Sequence, residues 1–267
     1  MTTQIRELSN DHLVAIAPSI GATYAHHRAS DKYSFVSTLS AVNFLRDSGW
    51  LPVSASEVSS RKGSDRKGFQ KHMIRLTRSD LMVGEHRMDL VLYNSHDRGS
   101  AFVLIGGVFS FICSNGMIVG DKMAEFHHKH IGFDPHQFIE SADQVQNHMI
   151  KVADVIDEWK GIELSPDEKG IYVSAAHQII YEEPESAPIE PMKLLTARRY
   201  QDENKNDLWG VFNTVQENAI QGGLTGQRAD GKRTRTRKVK SIEKDKKLNK
   251  ALWILTEKMA EIKKTVG

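Results

Sequence analysis

The stretch FQKHMIRLTRSDLMVGEHRMDLVLYNSHDRGSAFVLIGGVFSFIC, Phe69 to Cys113, decides the fold. From Phe69 to Arg78, His72, Ile74 and Leu76 fall on one side while Lys71, Met73, Arg75 and Thr77 fall on the other. That period of two is the signature of a half-buried strand. Gly84 marks a turn, Arg87 to Tyr93 returns, and Asn94 to Gly99 (NSHDRG) supplies the next turn. Ala101 to Cys113 is the most apolar run, and Gly106-Gly107 within it predicts a bulge or a close backbone approach. Ser114-Asn115-Gly116 closes it. Connections this short favour an antiparallel meander over crossover-linked parallel strands.

Upstream, Trp50 to Val58 reads as a further strand, with Pro52 tolerable only on an edge or at its start. Before it, Phe35, Leu39, Val42 and Leu45 recur at helical spacing, and Gly49 sits where a left-handed cap belongs. A short helix is predicted around Leu8 to Ile16, stopped near Pro18. Downstream the chain turns helical. Val145, Met149, Val152, Ile156 and Trp159 form one stripe ending at Gly161, and Ser165-Pro166-Asp167-Glu168 is a capping box that opens a second helix through Ile179. Asp207 caps a helix carrying Leu208, Phe212, Val215 and Ala219, stopped by Gly222-Gly223. Leu248, Leu252, Leu255, Met259 and Ile262 give a final amphipathic helix. The predicted fold class is α+β: an antiparallel β-meander flanked by helices, with a mostly helical C-terminal half. Glu182 to Pro191 holds three prolines and four glutamates and reads as an extended linker. The expected domains are therefore an α+β core at 1–181, the linker at 182–191, and a helical extension at 192–267 carrying a basic arm at 228–250.

The chain has 267 residues, 39% hydrophobic and 26% charged, an ordinary composition for a soluble globular protein. No run approaches the roughly 20 apolar residues of a membrane-spanning helix. The polar start MTTQIRELSNDHL is unlike a secretory signal, and the single Cys113 has no internal disulfide partner. A cytoplasmic location is expected. The net charge of +2 conceals an asymmetry: between Arg228 and Lys250 stand eleven Lys or Arg against Asp230, Glu243 and Asp245. A second excess runs from Arg61 to Arg78, where Arg61, Lys62, Arg66, Lys67, Lys71, Arg75 and Arg78 face only Asp65. Clustering of this kind steers polyanions, because distant charges are screened within roughly 10 Å.

The candidate nucleic-acid contacts are Arg228, Lys232, Arg233, Arg235, Arg237, Lys238 and Lys240 on the arm. Arg61, Lys62, Arg66, Lys67, Lys71 and Arg75 form a second group. Arginine suits this use because its planar fork pairs bidentately with phosphate oxygens. Tyr93 and Phe102 offer stacking surfaces on the sheet, as single-strand binders require. The bland alternative is a solvated linker followed by a surface helix. Gly226 to Lys232 (GQRADGK) matches the start of a phosphate-binding loop, but Arg233 stands where the magnesium-holding hydroxyl belongs and no strand precedes it. His127, His128, His130 and His136 with Asp134 cluster without paired cysteines or an HExxH helix, so no metal site is assigned. Ser95-His96-Asp97 is consecutive and reads as a turn, since catalytic triads are assembled by the fold. Asp89, Asp97, Asp121 and Glu125 are the acids on which a magnesium nuclease would rest. No catalytic residue and no cofactor is assigned.

KHMIRLTR (Lys71 to Arg78), LYNSHDRGSAF (Leu92 to Phe102), GVFSFICSNGMIVG (Gly107 to Gly120), NDLWGVFNTVQENAIQGGLTG (Asn206 to Gly226) and RTRTRKV followed by NKALWILTE resemble a known family. It is the DUF-932 phage/plasmid-like family, in its UPF-0380 subgroup of uncharacterised prophage and plasmid proteins. The resemblance runs from about Leu39 onward. It implies a mobile-element context, among genes for antirestriction, single-strand binding and recombination. Arg233 to Val239 matches the family's pattern, the His127-to-His130 cluster departs from it, and the family carries over no catalytic residues. The preferred expectation is a non-enzymatic protein that binds single-stranded DNA in recombination, replication or transfer, with no membrane partner. The alternative is an anti-defence protein binding a host restriction or immune factor. By fold-level analogy, the helix–meander–helix order resembles ring-forming annealing proteins, in which case the C-terminal helices mediate homo-oligomer formation.

Overall fold

The structure, a computed structural model, describes residues 6–29, 33–61, 63–83, 86–110, 116–118, 125–128, 134–199 and 205–266. The chain divides into two compact units, one from residues 1–112 with 120–150 and the other from 113–119 with 151–267.

The first unit holds the meander. Helix α1 (Asn10–Ile16) is capped by Ser9, whose hydroxyl accepts from the His12 N–H, and α2 (Thr38–Asp47) by Ser37 in the same way. Helix α2 stops at Ser48 and Gly49, the latter at φ +85°, the left-handed conformation that a side chain resists. Strands β1 (Leu51–Glu57), β2 (His72–Val83), β3 (His86–Asn94) and β4 (Phe102–Ser110) each pair antiparallel with the next. The edge strand β1 takes up Pro52 at a register shift between Pro52 and Ser54. Of the two expectations for Gly106, the close approach holds. The β3–β4 register runs unbroken through Leu90↔Gly106 and Asp89↔Gly107, and a Cβ on Gly106 would stand 2.7 Å from the Met149 side chain. Met149 lies on α3 (Pro135–Lys160), which starts in this unit and ends in the other. The short β5 (Gly116–Ile118) is grouped with the second unit, whereas β6 (Glu125–His128) pairs with β4. The turn expected at Gly84, as well as Cys113 and Asp121, lies outside the described residues.

The second unit is built on α4 (Pro166–Ile180), α5 (Leu208–Gln221), the strands β7 (Thr225–Gln227) and β8 (Arg233–Arg235), and α6 (Ile242–Val266). Both halves of the capping box form: the Ser165 N–H donates to Glu168 Oε2 at 2.7 Å, and the Glu168 N–H donates to Ser165 Oγ at 3.3 Å. Trp159 sits at the centre of the core, with ring centroids of Trp253, Phe212 and Trp209 at 4.4, 6.0 and 6.3 Å. Aromatic pairs of this kind contribute about 0.5–1.5 kcal/mol each beyond the area they bury. Most of the apolar stripe of α6 is used within the chain, Leu248, Leu252 and Met259 being buried, while Ile262 on the stripe and Ile254 off it are exposed. Residues 182–191 lie inside this unit. Pro184–Ser186 makes a 3-10 turn, Ile189 is buried, and His177 Nε2 donates to the Ile189 carbonyl at 2.8 Å. No helix among the described residues is long and apolar enough to cross a membrane.

A fully buried polar network ties α2 to the meander. The Gln70 carbonyl can only accept, so His72 Nδ1, 2.9 Å away, carries the hydrogen. His72 Nε2 is then an acceptor and takes the Thr38 hydroxyl hydrogen at 2.8 Å, while Asn94 Nδ2 donates to Thr38 Oγ1 at 2.9 Å. Burial holds the His72 imidazole down at about 4, against an ordinary 6.5, with the Gln70 hydrogen bond and Asp97 opposing. The folded state therefore selects the neutral ring, and the unfolded chain takes the proton first. The stability that His72 contributes is whole above about pH 6.5 and is lost as pH falls toward 4. Chemical denaturation of the parent and of His72→Gln at pH 7.5, 5.5 and 4.5 is the check. The parent should lose up to about 3 kcal/mol more than the variant across that window, and parallel losses would remove His72 as the cause.

Candidate nucleic-acid interface

The basic arm begins as a β-hairpin. Strands β7 and β8 pair through Thr225↔Arg235, Gly226↔Thr234 and Gln227↔Arg233. The loop between them is closed by the Arg228 N–H on the Lys232 carbonyl at 2.9 Å, with Gly231 at φ +79° and the Asp230 carboxylate accepting from the Lys232 N–H at 3.1 Å. Beyond β8 the chain stays extended against the end of α5. The Gly223 N–H donates to the Thr236 carbonyl, the Thr236 N–H to the Leu224 carbonyl, and the Val239 N–H to the Ile220 carbonyl, all at 2.8–2.9 Å. Alternation does the rest: Thr234 and Thr236 are half-buried, and Arg233, Arg235 and Arg237 project outward.

All seven arm residues singled out from the sequence (Arg228, Lys232, Arg233, Arg235, Arg237, Lys238 and Lys240) are exposed. Asp230 lies 3.9 Å from Arg228 and 3.8 Å from Lys232. Among the described residues, Arg233, Arg235 and Arg237 have no ion-pair partner. Burial raises the Asp245 carboxyl at the start of α6 to about 6, against the Asn249 hydrogen bond and the nearby Lys238. Beside the hairpin lies a groove of about 570 Å³. Arg228, Arg235, Arg237 and Lys244 line it together with Tyr181 from the end of α4, over an apolar floor that includes Ala219 and Leu248. Sequence reasoning missed Tyr181, which stands some fifty residues before the arm in a segment without basic character.

The other basic segment, Arg61 to Arg78, belongs to the first unit and is dispersed there. Arg61, Arg66 and Lys67 are exposed on the loop before β2, Lys71 is half-buried, and Lys62 lies outside the described residues. Arg75 is engaged within the sheet, with Nε 3.3 Å from the carboxylate of fully buried Asp89. Arg78 donates to Asp80 and Gln146 and lies over the Trp50 ring at 5.6 Å. Arg66 and two arginines not expected from sequence, Arg28 and Arg98, line a smaller pocket of about 340 Å³ with His26 and Asp97. Arg98 is at φ +65°.

Several other expectations change. Tyr93 and Phe102 are buried, with Phe102 edge-on against Phe138 at 5.2 Å, so neither offers a stacking platform. Alternation along a strand shows which residues share a face and leaves open which face a helix covers. Gly226 to Lys232 is the hairpin itself, and β8 follows it where a phosphate-binding loop needs a helix. Ser95-His96-Asp97 is a turn as read, the Asp97 carboxylate accepting from the Gly99 N–H and Ser95 Oγ from the Ser100 N–H, each at 2.8 Å. Of the histidine cluster, the described His136 is exposed, and its N–H donates to Asp134 at 2.9 Å. A different trio, His26, His27 and Asp65, brings ligand atoms within 4.8 Å of one another. There His26 Nδ1 accepts from the Arg28 N–H, its Nε2 donates to the Asp65 carbonyl, and the Arg28 guanidinium holds the Asp65 carboxylate at 2.9 Å. That leaves His26 no lone pair for a metal.

The sequence model of a family described as Domain of unknown function (DUF932) matches residues 25–253. The UPF0380 protein YfjQ of Escherichia coli (strain K12) is 34% identical over 252 residues, covering 94% of this chain and 91% of that protein. The UPF0380 protein YafZ of the same strain is 33% identical over the same span and coverage. No solved structure gives a significant match.

Two glycines seat the hairpin. A Cβ on Gly226 would overlap the Pro188 carbonyl oxygen, to which the Gln227 N–H donates at 2.7 Å. A Cβ on Gly222, itself at φ +60°, would stand 2.5 Å from the Arg237 carbonyl carbon. Gly226→Ala is therefore expected to destabilise the chain by about 1–3 kcal/mol, the range for overpacking. It should also speed trypsin cleavage within residues 228–240. Unchanged cleavage would show that this approach does not hold the hairpin.

Proposed function

The chain belongs to the DUF932 family, and we propose that it is a non-enzymatic nucleic-acid-binding protein that tracks the backbone of single-stranded DNA. One observation carries this reading. Arg233, Arg235 and Arg237 project from one side of a backbone held along one edge by β7 and the two residues before it, and no carboxylate among the described residues neutralises them. Side chains two residues apart on a strand repeat at roughly 6.6–6.8 Å, comparable with the phosphate repeat of an extended strand. Each guanidinium then meets a separate phosphate as a planar fork. Lys232, Lys238, Lys240 and Arg228 extend the row at both ends. A single strand fits a short straight row better than a duplex, whose backbone curves away from it. Arg61, Arg66 and Lys67 in the first unit are a second group of contacts in the same reading, and the engaged Arg75 contributes least.

Fluorescence anisotropy with labelled single- and double-stranded oligonucleotides of equal length, titrated across salt, tests this. Replacing Arg233, Arg235, Arg237 and Lys238 together with Ala should weaken single-strand binding at least about tenfold. The salt slope should fall by roughly 0.7 per lost contact. All four side chains are exposed, so the melting temperature should stay close to the parent's. An unchanged dissociation constant would remove the arm from the interface, and no binding even at roughly 50 mM salt would overturn the reading.

A further inference from the structure

We infer that the groove beside the hairpin binds the phosphorylated terminal nucleotide of a strand, a phosphomonoester with its attached nucleoside. The inference deepens the DNA-binding reading and rests on it for the source of the ligand. Among the described residues, four cations, Arg228, Arg235, Arg237 and Lys244, line this groove and no carboxylate does, although Asp230 lies 3.9 Å from Arg228. A concave site with that lining focuses positive potential inward, where an open row spreads it along the surface. An internal phosphodiester carries one negative charge. A terminal phosphomonoester carries about −1.5 to −2 at neutral pH and presents three acceptor oxygens. The charge of the lining matches the second better than the first, and two of its arginines can each offer a bidentate fork.

The groove is also shaped for more than a bare anion. Its volume of about 570 Å³ lies within the roughly 300–1,000 Å³ of small-ligand sites. Tyr181 supplies one wall, half-buried, with its ring 4.8 Å from that of His177. Its hydroxyl has no hydrogen-bond partner among the described residues, although burial raises its pKa above the ordinary value. A nucleobase against that ring gains stacking that an inorganic anion cannot. Arg235 and Arg237 belong to both features, so a strand lying along the row would deliver its end to the groove. Arg233 and Lys240 belong to the row alone, while Tyr181 and Lys244 belong to the groove alone. That division lets the two ideas fail separately.

The test compares oligonucleotides of one sequence bearing a 5′-phosphate, a 3′-phosphate or hydroxyls at both ends, with thymidine monophosphate and thymidine as competitors. One phosphorylated end should bind about tenfold more tightly than the hydroxyl form, the worth of one further charge-assisted hydrogen bond. Which of the two does so identifies the end. The monophosphate should displace it and thymidine should not. Lys244→Ala and Tyr181→Leu should each erase most of the preference and leave hydroxyl-ended binding within about twofold, since the row is intact. Arg233→Ala and Lys240→Ala should weaken all forms alike. Lys244→Ala is exposed and keeps the test decisive if Tyr181→Leu folds poorly. Equal affinity with and without a terminal phosphate would overturn the groove inference and leave the row standing. Monophosphate binding without any oligonucleotide binding would do the reverse.

Discussion

Everything proposed for this chain depends on a backbone placed where side chains would ordinarily forbid it. Residues 225–239 are pinned from two directions, by Gly226 against the Pro188 carbonyl and by Gly222 against the Arg237 backbone. Neither approach tolerates a Cβ. Together they turn a segment whose composition would suit a solvated coil into a hairpin with fixed alternation. Asn218 extends the same device, its amide donating to the Leu194 and Thr196 carbonyls at 2.8 and 2.9 Å while its oxygen accepts from Arg198 Nε. The polar ends of these connections are satisfied by named partners, which a buried connection requires.

A row of unneutralised arginines is cheap to maintain on such a support. At about 7 Å separation in water, like charges repel by roughly 0.6 kcal/mol, and salt reduces this further. Arg75 shows the opposite choice, its guanidinium committed to a buried carboxylate in the sheet. The two arginine environments follow from position. A side chain against a covered face must find a partner because desolvation of an isolated charge is costly, whereas one on an open hairpin keeps its water. The proposed polyanion binding would draw on the second kind.

The meander, the capped helices and the glycine stops were legible because each rests on local chemistry: Ser165 with Glu168, Asp207 before Leu208, Gly49 after Leu45. The hairpin was not. Its pairing partner for Arg233–Arg235 is Thr225–Gln227, too short and too polar to show a period, and its seat is made by Pro188, a residue in a segment that reads as linker. Glu182 to Pro191 has a linker's composition, yet Ile189 and the His177 hydrogen bond draw it inward. Tyr93 and Phe102 were legible as strand residues, but the register puts them on opposite faces of the sheet, and the cover that Phe138 of α3 gives Phe102 is a tertiary fact. That the arm's cations stand exposed was therefore readable from its composition, and its geometry was not.

That difference bears on how the row and the groove would act. Long arginine side chains lose about 2 kcal/mol of rotamer entropy when fixed, and a mobile arm would lose backbone freedom as well. Here the backbone component has already been spent in folding, through the paired strands and the contacts with α5, so only the side chains remain to be ordered by a ligand. Preorganisation of this kind raises affinity without adding contacts. It also sharpens discrimination. A coil adapts to whatever phosphate arrives, but a hairpin that holds Arg235 and Arg237 at the lip of a groove would fix where an incoming phosphate sits relative to Tyr181 and Lys244. Geometry of that sort would add to charge in distinguishing the end of a strand from its middle.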